Sequence, residues 1–214
     1  MTSPSFSAQN AHIILINWNS LADTRRCLRA LRELSDTPGH IWIVDNGSTD
    51  GSADAIAAWL ASSTLPTTLI RTGENLGFGG GCNVGICHAL DAGATALWIL
   101  NNDAIVHKDA LNALLAELQS NAKVGAVGSV IYDLEHPQKV LVWGGGHVLS
   151  WLGLAHHAKR ALPAARLDYL TGASILLRRE ALEQIGLFDD DHFFMYWRRM
   201  FGNIGRAAPA KIRW

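Results

Sequence analysis

The sequence predicts an α/β fold, a mostly parallel central sheet flanked by helices, and three observations carry that expectation. Four short apolar runs, at residues 12–16 (HIILI), 40–44 (HIWIV), 67–71 (TTLIR) and 96–100 (ALWIL), are bounded by turn residues and read as buried strands. Helical patterns lie between them. The strands recur at about 28 residues, the rhythm of βαβ units around a parallel sheet. The chain's 214 residues, 49% hydrophobic and 17% charged, are enough for one domain with a full core. With 20 Gly and 6 Pro, the composition also excludes a disordered or collagenous chain.

Each helix has its own signal. Ser20 is placed to cap the first, with Asp23 three residues on and Leu28, Leu31 and Leu34 as the apolar stripe. Ser52 opens the second, which carries Ile56, Trp59 and Leu60. The third is expected over residues 81–91. The fourth, over 109–120, shows Leu111, Leu114, Leu115 and Leu118 at helical spacing. The segments share a period but no common motif, so this is not a repeat protein. After Ser120 the rhythm changes. Residues 124–130, 139–143 and 169–177 (YLTGASILL) read as further strands, with a loop rich in His, Ala and Arg before the last and a helix from Arg179 after it. No linker is visible. The reading is one domain with a flexible N-terminus at 1–10, a regular βαβ half at 11–120 and an irregular half at 121–214.

Charge and cysteine usage remove several function classes. Lys plus Arg number 18 against 19 Asp plus Glu, for a net charge of −1. That balance gives no footprint for nucleic acid, so an anionic ligand must be held by local groups. The three cysteines, Cys27, Cys82 and Cys87, form no CxxC pair, and their odd number argues against a disulfide framework, which fits a reducing, cytosolic setting. The first ten residues lack the basic start and apolar run of a signal peptide. The longest apolar-leaning stretch, residues 140–155 (VLVWGGGHVLSWLGLA), is too short to span a bilayer. It reads as a core strand with a Gly turn, and the alternative is a segment lying at a membrane surface.

The polar residues fall where such a fold binds ligands. In an open parallel sheet the ligand crevice lies beyond the carboxyl ends of the strands. The first run is followed by Asn17-Trp18-Asn19-Ser20 and the second by Asp45-Asn46-Gly47-Ser48-Thr49-Asp50. Beyond the third come Arg71 and then Glu74-Asn75-Leu76-Gly77-Phe78-Gly79-Gly80-Gly81, and the fourth ends in Asn101-Asn102-Asp103. Taken singly, Asp45-Asn46-Gly47-Ser48 is a plain turn with a helix cap, and Asn101-Asn102-Asp103 is equally turn-like. Together they put Asn, Asp, Trp, Arg and a glycine-rich turn on one rim, which points to a binding site. A carboxylate there can accept the imide N–H of a pyrimidine, with an aromatic such as Trp18 stacked on its face. A single hard carboxylate also suits Mg²⁺ or Mn²⁺ when diphosphate oxygens and water complete the shell.

Other chemistries fit poorly. Cys82 stands where a GxGxxG fingerprint needs its last glycine, and no GKS or GKT is present for a P-loop. The nine histidines show no HxxxH or HExxH spacing, and His156-His157 reads as a solvated pair.

The ordered set Asn17-Trp18-Asn19-Ser20, Val44-Asp45-Asn46-Gly47-Ser48-Thr49-Asp50-Gly51-Ser52, Glu74-Asn75-Leu76-Gly77-Phe78, Leu100-Asn101-Asn102-Asp103 and Thr171-Gly172-Ala173-Ser174 resembles glycosyltransferase family 2, and within it bacterial enzymes of the rhamnosyltransferase type. The likeness runs from about His12 to Trp197. It implies a GT-A-type nucleotide-diphospho-sugar transferase fold, with 11–120 as the nucleotide-sugar half and 121–214 as an acceptor-side half, incomplete at its end. It implies an inverting transfer from a UDP- or dTDP-sugar, rhamnose among the candidates, to a saccharide or lipid-linked acceptor in cell-surface polysaccharide synthesis. By that resemblance Asn17, Trp18, Asn19, Asp45, Asn46, Asn75, Gly77 and Asn101 line the nucleotide, Asp103 holds Mg²⁺ or Mn²⁺, and Gly172 and Ala173 lie beside donor sugar and acceptor. The setting it implies is cytoplasmic, with peripheral association at the inner face of the plasma membrane.

One departure stands out. In the family, a stretch like Phe193-Phe194-Met195-Tyr196-Trp197 leads into Glu-Asp-Val, whose acidic pair includes the general base. Here Trp197 is followed by Arg198-Arg199-Met200-Phe201, and arginine cannot serve as a base. Asp191, in the run Asp189-Asp190-Asp191, is the weak substitute, and that run reads equally as a turn and helix-capping cluster. Codons CGG-AGG-ATG-TTY for residues 198–201, read from the last base of the first, would give GAG-GAT-GTT, or Glu-Asp-Val. A frame slip across 198–210 is therefore a hypothesis. The alternative function is a catalytically impaired module that binds a nucleotide-sugar. A nucleotidyltransferase would want a Gly-rich loop with Lys or Arg after the first strand, where Asn17-Trp18-Asn19 stands instead.

Overall fold

The computed structural model describes residues 6–152, 154–163, 166–189 and 205–213, the last as a backbone path. In chain order the elements are β1 (Ala11–Asn17), α1 (Leu21–Arg32), β2 (His40–Asp45), α2 (Ser52–Leu60), β3 (Thr67–Arg71), α3 (Gly77–Asp91), β4 (Ala96–Asn101), β5 (Ile105–Val106) and α4 (Ala110–Gln119). There follow β6 (Ala126–Tyr132), β7 (Val140–Trp143), β8 (Gly145–Leu149), β9 (Leu154–His157), β10 (Tyr169–Leu170), β11 (Ser174–Arg178), α5 (Arg179–Ile185) and β12 (Gly205–Arg213).

The sheet runs β3-β2-β1-β4-β11-β6-β7-β8-β10. Strands β1 to β4 are mutually parallel, and β11 lies antiparallel between β4 and β6. The chain moves outward from β1 to β3, and α3 then returns it to β4 on the far side of β1. The strand order therefore reverses between β1 and β4, which makes their carboxyl ends the switch point of the sheet.

Both faces of the sheet are covered. On β1, Ile13 and Leu15 point into one core with Leu28 and Leu31 of α1, Ile56 of α2 and Leu111 and Leu114 of α4. Ile14 points into the other, with Cys82 and Ile86 of α3 and Leu182 of α5. Strands buried on both sides explain why β1 and β4 read as continuous apolar runs rather than alternating ones. Strand β3 departs from the expectation of burial. Its residues are exposed or half-buried, because it is the edge of the sheet.

Helix α3 begins at Gly77, four residues before the expected start at 81. Glycine inside a helix costs about 1 kcal/mol against alanine, so the sequence reads there as a turn. Close packing is the reason it is helix instead. A Cβ on Gly85 would sit 2.5 Å from Ile14 Cγ2, and one on Gly81 would sit 3.3 Å from Ile16. Small residues let this helix approach β1 at a distance that alanine would forbid.

The second half holds other differences. Residues 145–157, which begin inside the stretch 140–155 read as core strand and Gly turn and run two residues past it, form the hairpin β8–β9, whose outer strand is exposed throughout. Residues 169–177 divide into β10 and β11, separated by a turn at 172–173. Strand β12 runs parallel to β6 and pairs antiparallel with β5. At the other end, where 1–10 was expected to be flexible, Phe6 is buried with the Arg178 guanidinium 4.5 Å from its ring centroid, and Ala8–Asn10 form a 3-10 turn. No helix among the described residues is long and apolar enough to cross a membrane.

Candidate functional site

Strand register brings the sequence-predicted residues to one level. Asn17 pairs with Asp45 across β1 and β2, Asp45 with Arg71 across β2 and β3, and Ile16 with Asn101 across β1 and β4. Asn17, Asp45, Arg71 and Asn101 are thus the last residues of four parallel strands rather than the first of four loops. A short β-run followed by a polar residue is how the sequence writes a strand that stops at the rim.

Asn17 is fully buried and organises the centre. Its Nδ2 donates to Asp45 Oδ1 at 2.8 Å, Ser52 Oγ at 3.0 Å and Ser48 Oγ at 3.1 Å. Its Oδ1 accepts from Thr24 Oγ1 at 2.8 Å, and Thr24 in turn accepts from Asn102 Nδ2 at 2.8 Å. Asp45, 3% exposed, takes its second contact from the Ser48 amide at 3.2 Å. Burying a carboxylate is costly unless donors surround it, and here an amide side chain and a backbone N–H do so.

A second tie fixes the glycine-rich loop. Asn46, also buried, donates to Asn75 Oδ1 and to the Gly77 carbonyl, each at 3.0 Å, and accepts the Leu76 amide at 3.1 Å. The Gly77 amide donates to Asn75 Oδ1 at 2.9 Å. Gly47 lies beneath this loop with φ +75°, and a Cβ there would come within 2.5 Å of the Glu74 carbonyl carbon. Only glycine meets both demands, the left-handed backbone and the close approach.

Asn19 holds the opposite wall. Its φ of 50° is left-handed, a conformation asparagine tolerates. Its amide donates to Ser48 Oγ at 2.9 Å, and its Oδ1 accepts the Thr49 amide at 2.8 Å. Trp18, held between these fixed neighbours, is left 55% exposed at the rim. Arg71 does not join the site, because its guanidinium is paired with Asp54 at 2.7 Å.

Asp103 is different from all of these. Its Oδ1 is buried and has no hydrogen-bond partner. Burial raises its carboxyl above the usual aspartate range, aided by the charge of Asp23 and opposed by its own backbone hydrogen bond and by Arg26. Ser20, expected to cap α1, instead donates its hydroxyl to Asp23 Oδ2 at 2.7 Å, and Asp23 pairs with Arg26 at 2.7 Å. A buried carboxylate oxygen left without a donor fits a hard cation. Among the described residues no cluster of three His, Cys, Asp or Glu can hold a metal. A cation at Asp103 would therefore need ligand and water oxygens for the rest of its shell.

The segment after β10 closes the rim. The Asn101 amide donates to the Ala173 carbonyl at 2.9 Å, so Gly172 and Ala173 lie beside the end of β4. Behind them Ser174 accepts from Trp98 Nε1 at 2.8 Å and shares a 2.6 Å hydrogen bond with Ser129. This satisfied buried trio fixes β11 against β4 and β6. Asp191, Arg198 and Arg199 lie outside the described residues.

Sequence reasoning missed Thr24, gave Ser48 and Asn102 no role in the site, and read Ser52 only as the start of a helix. Thr24 carried one signal. It sits on the buried stripe with Cys27, Leu28 and Leu31, a polar residue at a core position.

Comparison with known proteins bears on the family and the fold. The model of the family described as Glycosyl transferase family 2 matches residues 12–186. The N-acetylglucosaminyl-diphospho-decaprenol L-rhamnosyltransferase of Mycobacterium tuberculosis is 29% identical over 209 residues, an alignment covering 86% of this chain and 66% of that protein. The mannosyltransferase PcManGT of Pyrobaculum calidifontis, solved with GDP-Man and Mn²⁺, superposes with a TM-score of 0.65 at 21% identity, over 85% of this chain and 48% of that one. GalNAc-T7, solved with UDP, GalNAc and Mn²⁺, gives 0.75 at 13% identity, over 95% and 43%. The chain thus spans just under two thirds of the rhamnosyltransferase and about half of these two structures. The fold is the GT-A type. With the family model covering most of its length, the chain belongs to glycosyl transferase family 2.

Proposed function

We propose that this chain binds a nucleotide-sugar, a UDP- or dTDP-sugar, with a divalent cation, and transfers the sugar with inversion to a saccharide or lipid-linked acceptor. The observation that carries the reading is the partnerless buried oxygen of Asp103, set at the switch point beside a rim where the side chains of Asn17, Asn46 and Asn75 are tied to one another's loops. The relatives support it. The rhamnosyltransferase is named for a diphospho-decaprenol acceptor, and both structural neighbours were solved with Mn²⁺ and a sugar or nucleotide-sugar.

In this reading the nucleobase lies against Trp18, and its imide N–H meets the lone pairs that Asp45 still has free. The buried ties of Asn17, Asn46 and Asn75 are framework, holding the walls at fixed separation so that binding orders little. Asp103 holds the cation, Mg²⁺ or Mn²⁺, which when bound neutralises the charge growing on the leaving diphosphate. Gly172, with no side chain, leaves room for the sugar next to Asn101. Inverting transfer also needs a base within hydrogen-bond reach of the acceptor hydroxyl. The family position for it is occupied by Arg198 and Arg199, while the family match and the named relatives favour transfer over a module that binds the donor without turning it over.

Release of nucleoside diphosphate from UDP- and dTDP-sugars, followed with and without a polyprenyl-diphosphate-linked sugar, tests the proposal. Acceptor-dependent release of UDP or dTDP supports transfer. Donor binding without release, in the presence of acceptor, supports the binding module. No binding of any such donor contradicts both.

A further inference from the structure

The hairpin β8–β9 does not behave like the rest of the sheet. It is anchored along its length: at the root Tyr169 Oη and His157 Nδ1 share a hydrogen bond of 2.8 Å, and nearer the tip the Val148 amide donates to Asp168 Oδ2 at 2.9 Å. Gly145 and Gly146 pack so closely on Tyr169 and the neighbouring strand that neither has room for a Cβ. Its outer end, by contrast, is bare and apolar. Leu149 and Leu154 form a cross-strand pair, 38% and 49% exposed, and the turn between them presents Trp151 at 80% and Leu152 at 49%. A monomeric protein rarely exposes four large apolar residues side by side without a use for them.

The flanking charge says what the tip meets. Residues 136–167 contain no Asp or Glu; Lys139 among them is paired with Asp133 at 3.0 Å, while Lys159, Arg160 and Arg166 remain, and Lys159 and Arg160 are exposed just beyond β9, after the buried Ala158. A Trp-led apolar tip on a basic stem matches the interface of an anionic bilayer: indole at the headgroup level, leucines below it and cations against lipid phosphates. Asp168, the acid beside the hairpin, is held by the Val148 amide and lies 3.8 Å from His147, and a protein partner of ordinary composition would give no reason for the acid-free run between Glu135 and Asp168.

We infer that the tip of this hairpin inserts into the surface of anionic membranes. The insertion orients the site. Strand β10 pairs with β8 and leads straight into 171–173, whose Ala173 carbonyl is bonded to the end of β4. A membrane seated on the tip is thus coupled through one short strand to the acceptor side of the rim. In naming a partner for that side the inference rests on the transferase reading, but the two stand or fall by different measurements.

The test is flotation of the full chain with vesicles of equal phosphatidylglycerol and phosphatidylcholine, and with phosphatidylcholine alone. The wild type is expected to float with the mixed vesicles and at least tenfold less with the neutral ones. Trp151→Ser with Leu152→Ser should lower flotation on the mixed vesicles at least tenfold, with circular dichroism and UDP or dTDP binding unchanged. Lys159→Gln with Arg160→Gln should remove most of the preference for the anionic lipid. Wild type that stays unfloated, or a double tip variant that floats equally well, overturns the inference. So does self-association in sedimentation that the tip variant abolishes while neither protein floats, which would assign the tip to a second copy of the chain. Loss of nucleotide binding in the wild type would count against the transferase reading alone.

Discussion

Replacing Asp103 by asparagine keeps the shape of the side chain and removes its charge at the end of β4. In the wild type one carboxylate oxygen is buried without a donor, and a buried unsatisfied polar group costs about 1–3 kcal/mol. The side chain is only partly buried, so solvent screening puts the cost at the low end, about 1 kcal/mol. Asparagine leaves an oxygen there equally unpaired and removes only the share of the cost that the buried charge adds, so the variant should be more stable than the wild type by at most about 1 kcal/mol in the absence of cation, a rise in Tm of no more than about 2–4 °C for a chain of this size. The sign with pH follows from the raised carboxyl. The folded form holds this proton more tightly than the unfolded chain, so the wild type loses stability as pH rises from the ordinary aspartate value through the raised one. The asparagine advantage is thus full at neutral pH and shrinks towards about pH 4. Thermal unfolding of both proteins in EDTA measures it, and calorimetric titration with UDP and Mn²⁺ on the same samples should show nucleotide affinity reduced at least tenfold in the variant. A variant that melts below the wild type, or binds nucleotide and cation as well, would refute the assignment of Asp103 as an electrostatically strained cation ligand.

Further outcomes follow from other parts of the molecule. Gly47→Ala places a methyl 2.5 Å from the Glu74 carbonyl carbon at φ +75°, and should cost about 2–4 kcal/mol in chemical denaturation and weaken nucleotide binding through the displaced 74–77 loop. At the opposite end of β1 and β2, His12 accepts from Trp42 Nε1 at 3.2 Å, and His40 packs 4.3 Å from Trp42 between ring centroids. Burial lowers the pKa of both histidines, and for His12 the charge of His40 adds to the effect. The unfolded chain thus binds these protons first. Stability should fall as pH drops below about 6.5, and His12→Asn should flatten that slope in denaturation curves at paired pH values. Arg198→Glu with Arg199→Asp restores the acidic pair of the family and should raise acceptor-dependent turnover on the order of 10²-fold, read as release of nucleoside diphosphate. An unchanged rate would remove the base position from the account.

How much of this was legible in the chain depended on how local its cause was. Strands β1, β2 and β4 announced themselves as apolar runs buried on both faces, and their terminal Asn17, Asp45 and Asn101 were visible as the polar residues that end them. What each of those residues does was not visible. Asn17 joins partners 28 to 35 positions away, and sequence spacing says nothing about which amide will surround which carboxylate. Asp45 and Asn46 read as ligands, while the structure also uses them to tie neighbouring loops together. The start of α3 was hidden for the opposite reason. Local propensity was clear and wrong, because close packing on β1, at Gly81 against Ile16, outweighed the cost of helical glycine. Hairpin β8–β9 was misread as core because hydrophobicity marks apolar residues without saying whether anything covers them, and Trp151 and Leu152 are uncovered.

Titration calorimetry of the wild-type chain with UDP and with dTDP, each in Mg²⁺ or Mn²⁺ and again in EDTA, tests the central claim most directly. The account predicts saturable one-to-one binding of at least one of the two nucleotides, weakened tenfold or more by the chelator. No binding of either nucleotide, or binding indifferent to both EDTA and Asp103→Ala, would contradict it.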